Sequence, residues 1–178
     1  MLIVGKVGWS SSLRDSRLTP DEQYTHISLW SLLAANMLIG CDIAQIDDFT
    51  FNLLCNNEVN AVNQDILGHQ AHQDLVEDGM QIWSRDLSDG AYAVGIFNLN
   101  DASVPVQLAD ALDRIGMEAG TVRDLWRQKD IAADAEYVIP PHGVLYVKVW
   151  PPASADTGDF NGEMIIFAGI KRNDHDNQ

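Results

Sequence analysis

The sequence predicts two architectures in series, an α/β segment followed by an antiparallel β segment, and three features predict them. A capped helix and a short uninterrupted apolar run both lie before about residue 68. After about residue 80, apolar residues alternate in short runs separated by turn signals. Between two of those runs sits Asp89-Gly90, a strong hairpin signal.

The helix begins at Thr19-Pro20-Asp21-Glu22. The Thr19 hydroxyl can accept from an orphan backbone N–H, Pro20 suits the first helical position, and Glu22, three residues on, can close a capping box. Asp21 and Glu22 also favour the positive end of the helix dipole. The spacing predicts a helix over 20–35 whose buried stripe is Tyr24, Ile27, Trp30, Leu33 and Ala34. Met37-Leu38-Ile39-Gly40 follows with almost no loop and predicts a strand buried on both faces. Asp47 or Asp48 then caps a short helix carrying Phe49, Leu53 and Leu54, and residues 1–68 read as βα architecture.

The second half predicts strands at 80–85 and 91–97, joined through Ser88-Asp89-Gly90. Residues 104–108 predict an edge strand, because Pro105 cannot donate to a ladder. Strands at 121–126, 137–139 and 143–149 complete a small antiparallel β-sandwich. Residues 151–178 read as a polar tail with one apolar island at 164–170 and no assigned structure.

Composition narrows the function classes. A hydrophobic fraction of 46% is enough for a packed core and argues against disorder. The net charge of −15 repels phosphate backbones and anionic bilayers, so neither nucleic acid nor a membrane is an expected partner. The longest apolar stretch, 29–39, is interrupted by Ser31 and Asn36 and is too short to span a bilayer. The amino terminus has no signal-peptide pattern. Cys41 and Cys55 sit in apolar contexts that suggest two buried thiols, with one bridge between them left open.

Candidate chemistry is sparse. Glycoside cleavage needs two carboxyls flanking the scissile bond. Asp21-Glu22 and Asp47-Asp48 are better explained as helix caps. Asp42 follows the predicted buried strand, where barrel enzymes place catalytic groups, but a cap or loop brace is the stronger expectation. Asp65 has no identifiable partner. His69 and His72 lie three apart without a third ligand, in a segment that reads as a linker, so neither a metal nor any other cofactor is expected. Trp83, Trp126 and Trp150 could stack on sugar rings, yet core or interface cover is the commoner use of such area.

Against this background, Leu18-Thr19-Pro20-Asp21-Glu22-Gln23-Tyr24-Thr25-His26-Ile27-Ser28-Leu29-Trp30, Leu32-Leu33-Ala34-Ala35 and Leu38-Ile39-Gly40-Cys41-Asp42 closely resemble glycoside hydrolase family 27. So do Leu53-Leu54-Cys55-Asn56-Asn57-Glu58-Val59, Val62-Asn63-Gln64-Asp65-Ile66-Leu67-Gly68, Asp124-Leu125-Trp126-Arg127 and Pro141-His142-Gly143-Val144. The resemblance runs in one register over about residues 1–150. It departs at Asn36 and Ile66, where prolines are common, and at Asn60, where an aliphatic residue is usual. The lost prolines should lower stability modestly through the unfolded chain.

The resemblance implies the last βα units of a (β/α)8 TIM barrel in residues 1–68 and an antiparallel β-sandwich in 69–150. It implies a parent hydrolase of carbohydrate metabolism, an α-galactosidase that retains stereochemistry through two aspartates. Both aspartates would precede this segment, so no catalytic residue is carried over. Met1 matches the methionine that ends the family's Trp-Asn-Asp-Pro-Asp-Met stretch and is the one substrate-binding position carried over. The expected partner is an α-galactoside bound by the full-length parent, for which a secreted or periplasmic location is left open. The chain is thus expected to be an inactive fragment with Met1 as an internal methionine. The alternative is a short carbohydrate-binding or docking β-sandwich protein, and a weaker one is a short enzyme using Asp42 and Asp65.

An isolated barrel end leaves an open sheet edge. Limited proteolysis is therefore expected to cut within residues 1–68 before it cuts within 75–150, and an intact amino-terminal segment after digestion of the rest would refute this.

Overall fold

The computed structural model of the chain describes residues 1–8 and 12–152. The elements are β1 (Lys6–Val7), β2 (Arg14–Asp15), α1 (Pro20–Leu32), a 3-10 turn (Ile43–Gln45), α2 (Asp48–Leu54), α3 (Asn57–Asn63), β3 (His72–Glu77), β4 (Met80–Asp86), β5 (Tyr92–Asn98), β6 (Val104–Gln107), α4 (Leu108–Asp113), β7 (Thr121–Asp124), β8 (Lys129–Ile131), β9 (Glu136–Ile139) and β10 (Val144–Trp150). An antiparallel six-stranded sheet, ordered β3-β4-β5-β10-β7-β8, forms the centre. One face carries the two-stranded sheet β6-β9 with α4, and the other carries α1–α3.

This arrangement follows from alternation in the central strands. In β10, Leu145, Val147 and Val149 face Ile82, Val94, Ile96, Leu108 and Ile139, while Tyr146 faces Ile27, Leu32, Val59 and Val62. In β5, Val94 and Ile96 take the first side and Ala93 and Phe97 the second. Both faces are covered, so β5 reads as a near-continuous apolar run rather than polar-apolar alternation. The helices and the sheet therefore share one core, and loss of residues 1–68 would uncover Ala93, Phe97 and Tyr146.

The capping box is present: Thr19 Oγ1 accepts from the Glu22 N–H, and Glu22 accepts from the Thr19 N–H at 2.7 Å. The helix ends three residues short of the expected Ala35. Ala34 adopts φ +49° and its N–H donates to the Ser31 carbonyl, while the Ala35 N–H reaches Trp30, which is a Schellman closure. The buried stripe also differs from the expected one. Gln23, Ile27, Ser28, Ser31 and Leu32 face inward, and Tyr24, Trp30, Leu33 and Ala34 are only half-buried. Small polar residues take the inner face because each finds a partner there: Ser31 Oγ donates to the Val59 carbonyl at 2.8 Å and lies 2.9 Å from the Tyr146 hydroxyl. Trp126 Nε1 donates to Ser28 Oγ at 2.9 Å.

Residues 37–40 do not form the expected strand buried on both faces. Ile39 makes one parallel bridge to Leu2, and Leu38 and Ile39 are 62% and 46% exposed. An apolar run specifies burial only where a neighbouring element covers it, and among the described residues only Leu2 pairs with this run. Asp47 caps α2 as expected, through the Thr50 N–H at 2.7 Å. The linker reading of the histidine segment also fails, since His72 opens β3. Cys55 is exposed and Cys41 half-buried, both free, so the buried-thiol expectation does not hold.

In the β-half, Asp89-Gly90 lies in the β4–β5 connection, which pairs Asp86 with Tyr92. A tighter hairpin occurs at Asp78-Gly79, both at positive φ (+47° and +74°), between Glu77 and its partner Met80. Pro105 lies in β6, which pairs only with β9 among the described strands. The apolar island expected at 164–170 lies outside the described residues.

Gly95 sets the approach of α1 to the sheet: a Cβ there would stand 2.7 Å from Leu32 Cδ1 and 2.6 Å from the Phe97 ring. Gly95→Ala should destabilise the chain by about 1–3 kcal/mol through overpacking, read as a lower urea midpoint with unchanged m-value.

Candidate functional site

The amino-terminal edge holds the position that the resemblance marks for sugar binding. The Leu2 N–H donates to the Leu38 carbonyl at 2.7 Å and the Gly40 N–H to the Leu2 carbonyl at 3.0 Å, so 1–3 and 38–40 run alongside each other. Met1 is 64% exposed. Its side chain lies over Gly40, where an added Cβ would meet Met1 Cγ at 2.8 Å, so glycine makes room for it. The Asp42 N–H donates to the Lys6 carbonyl at 2.8 Å, which ties the following turn to the same edge.

Of the carboxylates considered from sequence, Glu22, Asp42, Asp47 and Asp65 are engaged in local structure. Asp42 caps the 3-10 turn, accepting from the Ala44 N–H at 3.0 Å and Gln45 Nε2 at 2.9 Å. Bonds from the Thr50 side chain and backbone hold the Asp47 carboxyl below its ordinary pKa. Asp65 accepts from the Ser88 N–H at 3.0 Å, from Ser88 Oγ at 2.7 Å and from the Leu67 N–H at 3.1 Å. Burial pushes its pKa up, but these bonds outweigh it and the net direction is down. Asp65 thus ties the end of α3 to the β4–β5 connection.

His69 and His72 are not brought together as ligands. His72 Nε2 is 2.8 Å from Asp74 and His69 Nδ1 is 3.8 Å from Asp86. No group of three metal-ligating side chains occurs among the described residues. Trp83 and Trp126 pack against the helix-side core, and Trp126 meets the Tyr24 ring edge-on at 4.7 Å. Trp150 carries the Lys148 ammonium 4.8 Å above its ring and lines a cavity of about 330 Å³. That cavity also gathers Glu58, Asp89 and Arg123, none of which the sequence marks as a candidate site residue. They come from α3, the β4–β5 connection and β7, and no local spacing links them.

Residues 77–149 match the family model described as the α-galactosidase C-terminal β-sandwich domain. An α-galactosidase of Cyamopsis tetragonoloba is 37% identical over 131 residues, 68% of this chain and 31% of that protein. A GH27 β-L-arabinopyranosidase of Geobacillus stearothermophilus superposes with a TM-score of 0.72 at 28% identity, over 87% of this chain and 37% of that one. The chain resembles the carboxy-terminal part of glycoside hydrolase family 27. The part of family 27 that it matches is the carboxy-terminal one, and it spans about a third of the length of these relatives. α-Galactosidase I of Mortierella vinacea repeats the likeness, with a TM-score of 0.68 and 26% identity over 78% of this chain and 38% of that one. The matched sandwich residues form β4–β10 of the antiparallel assembly described above.

His26 stands beside this edge. The Ile3 N–H donates to its Nε2 at 3.3 Å, and its ring centroid lies 4.3 Å from that of Trp30. Burial lowers its pKa from the ordinary 6.5, and an Nε2 that accepts a hydrogen bond carries no proton. The folded chain therefore takes up this proton less readily than the unfolded one, and stability is lost as pH falls through the unfolded value. Wild-type chain should lose denaturant resistance between about pH 7 and 5, and His26→Gln should flatten that slope. Equal slopes in the two proteins would exclude His26 as the source.

Proposed function

We propose that the chain is the carboxy-terminal part of a retaining α-galactosidase-type glycoside hydrolase that cleaves terminal α-galactosyl residues. In this reading residues 1–68 supply the last βα units of a (β/α)8 barrel and residues 69–150 the β-sandwich. The observation that carries it is the sandwich match at 77–149, continued by α-galactosidase relatives over most of the chain. The parallel Leu2–Ile39 bridge beside α1 supports the barrel assignment, because parallel pairing next to a helix is the unit of that fold. Met1 is the one sugar-pocket position assigned to this chain, supported by its exposure beside Gly40.

The chain does not cleave glycosides by itself in this reading. A retaining enzyme needs two carboxyls about 5–5.5 Å apart across the sugar, one of them nucleophilic. Glu22, Asp42, Asp47 and Asp65 instead cap helices or brace a loop, and their oxygens accept backbone N–H bonds. The sandwich would act by covering the helices of the barrel end, burying Ile27, Leu32, Val59 and Val62.

The purified 178-residue chain, mixed with 4-nitrophenyl α-D-galactopyranoside, should release no nitrophenol above the blank. A longer product of the same reading frame, if the codons before Met1 continue into Trp-Asn-Asp-Pro-Asp and a barrel, should release it. Turnover by the 178-residue chain would overturn the inert reading, and an in-frame stop close upstream would overturn the fragment reading.

A further inference from the structure

We propose that the cavity between α3, the β4–β5 connection and the β7–β10 pair is a binding site for a neutral pyranoside, separate from any hydrolytic centre. It measures about 330 Å³, within the range of ligand clefts. Its buried apolar lining is Val62, Leu87 and Leu125, with Ala61 at the exposed edge. Its rim is polar and arranged in opposed ion pairs. Arg123 Nε and Nη2 donate to the two Glu58 oxygens at 2.8 and 2.7 Å, and Lys148 Nζ donates to Asp89 Oδ2 at 2.6 Å.

The pairs leave capacity for a ligand. A carboxylate has about four acceptor sites and an ammonium three donors. Asp89 uses one site on the Ala91 N–H and one on Lys148, and Glu58 uses two on Arg123. Lys148 donates one bond and rests its charge on the Trp150 ring, so it has further N–H groups to offer. An acceptor and a donor held side by side match two neighbouring hydroxyls, and an apolar lining matches the C–H face of a pyranose ring.

Charge selects the class. Glu58, Asp65 and Asp89 line the cavity together with Arg123 and Lys148, so its charged lining is net −1 on a chain of net charge −15, and an anion is disfavoured. Each cation is already paired, so the rim offers local dipoles rather than an open countercharge. A neutral polyhydroxyl ligand loses least on entering such a site. The assignment does not rest on the hydrolase reading, because none of these groups is asked to react.

The test is an NMR titration of the full 178-residue chain with methyl α-D-galactopyranoside, and separately with sodium phosphate, following the Trp150 indole N–H. The sugar should shift that resonance saturably, and Lys148→Met and Glu58→Gln should each weaken binding by about tenfold or more, as expected for losing a bond to a charged group. Phosphate should have no saturable effect. The proposal is overturned by the absence of a saturable sugar shift, by affinity unchanged in both variants, or by phosphate competing for the same resonance. Cleavage of the nitrophenyl substrate by the chain would sink the inert-chain reading without touching this one.

Discussion

A single buried hydroxyl cluster ties the two halves of the molecule together. The Ser31 proton goes to the Val59 carbonyl, so the Tyr146 hydroxyl must be the donor to Ser31 Oγ. Arg85 Nη1 donates to the Ser31 carbonyl at 3.2 Å from the far side. Helix α1, helix α3 and strands β4 and β10 thus meet at one serine. Burial, only partly offset by the Ser31 bond, raises the Tyr146 pKa, so the hydroxyl keeps the proton this geometry needs. A larger residue at 31 would hold the helix off the sheet, and an apolar one would leave Tyr146 and Val59 without their partner. Arg85 adds a constraint of another kind. It is almost fully buried, burial pushes its pKa down, and its Nε and Nη2 have no partner among the described residues, so its cost must be met by the apolar packing around it.

Around this joint, polar contacts specify position while apolar contacts supply most of the stabilisation. Asn56 caps α3 through the Glu58 and Val59 N–H groups, and its Nδ2 reaches the Leu125 carbonyl at 2.9 Å. Thr25 Oγ1 donates to the His142 carbonyl at 2.7 Å. Each bond joins a helix to a turn or strand of the sandwich, and none lies in the middle of the sheet. Within the sheet, alternation decides which side each residue takes. The sandwich of family 27 is in this chain a cover for helices as much as a domain of its own.

Part of the chain's acidic character has a local origin. Its helices open on Asp or Glu, and carboxylates cap the 3-10 turn and α2 or brace the α3 end. These groups hold backbone N–H bonds that no helix can satisfy internally. A carboxylate committed to that task is a poor nucleophile or acid.

Sequence alone determined the local elements with strong short-range signals: the Thr19 capping box, an aspartate cap at 47 or 48, the β5 and β10 runs and the edge position of Pro105. It also carried the family, through motifs spread over most of the chain. Tertiary structure alone decided which face of α1 is buried, because Ser28 and Ser31 are acceptable inside only when Trp126, Tyr146 and Val59 stand opposite. It also left Leu38 and Ile39 exposed where their composition asked for burial, and gathered Glu58, Asp89, Arg123 and Lys148 around one cavity. Periodicity reports how a residue relates to its neighbours within a few positions. Burial and polar satisfaction depend on what the fold brings to the other side.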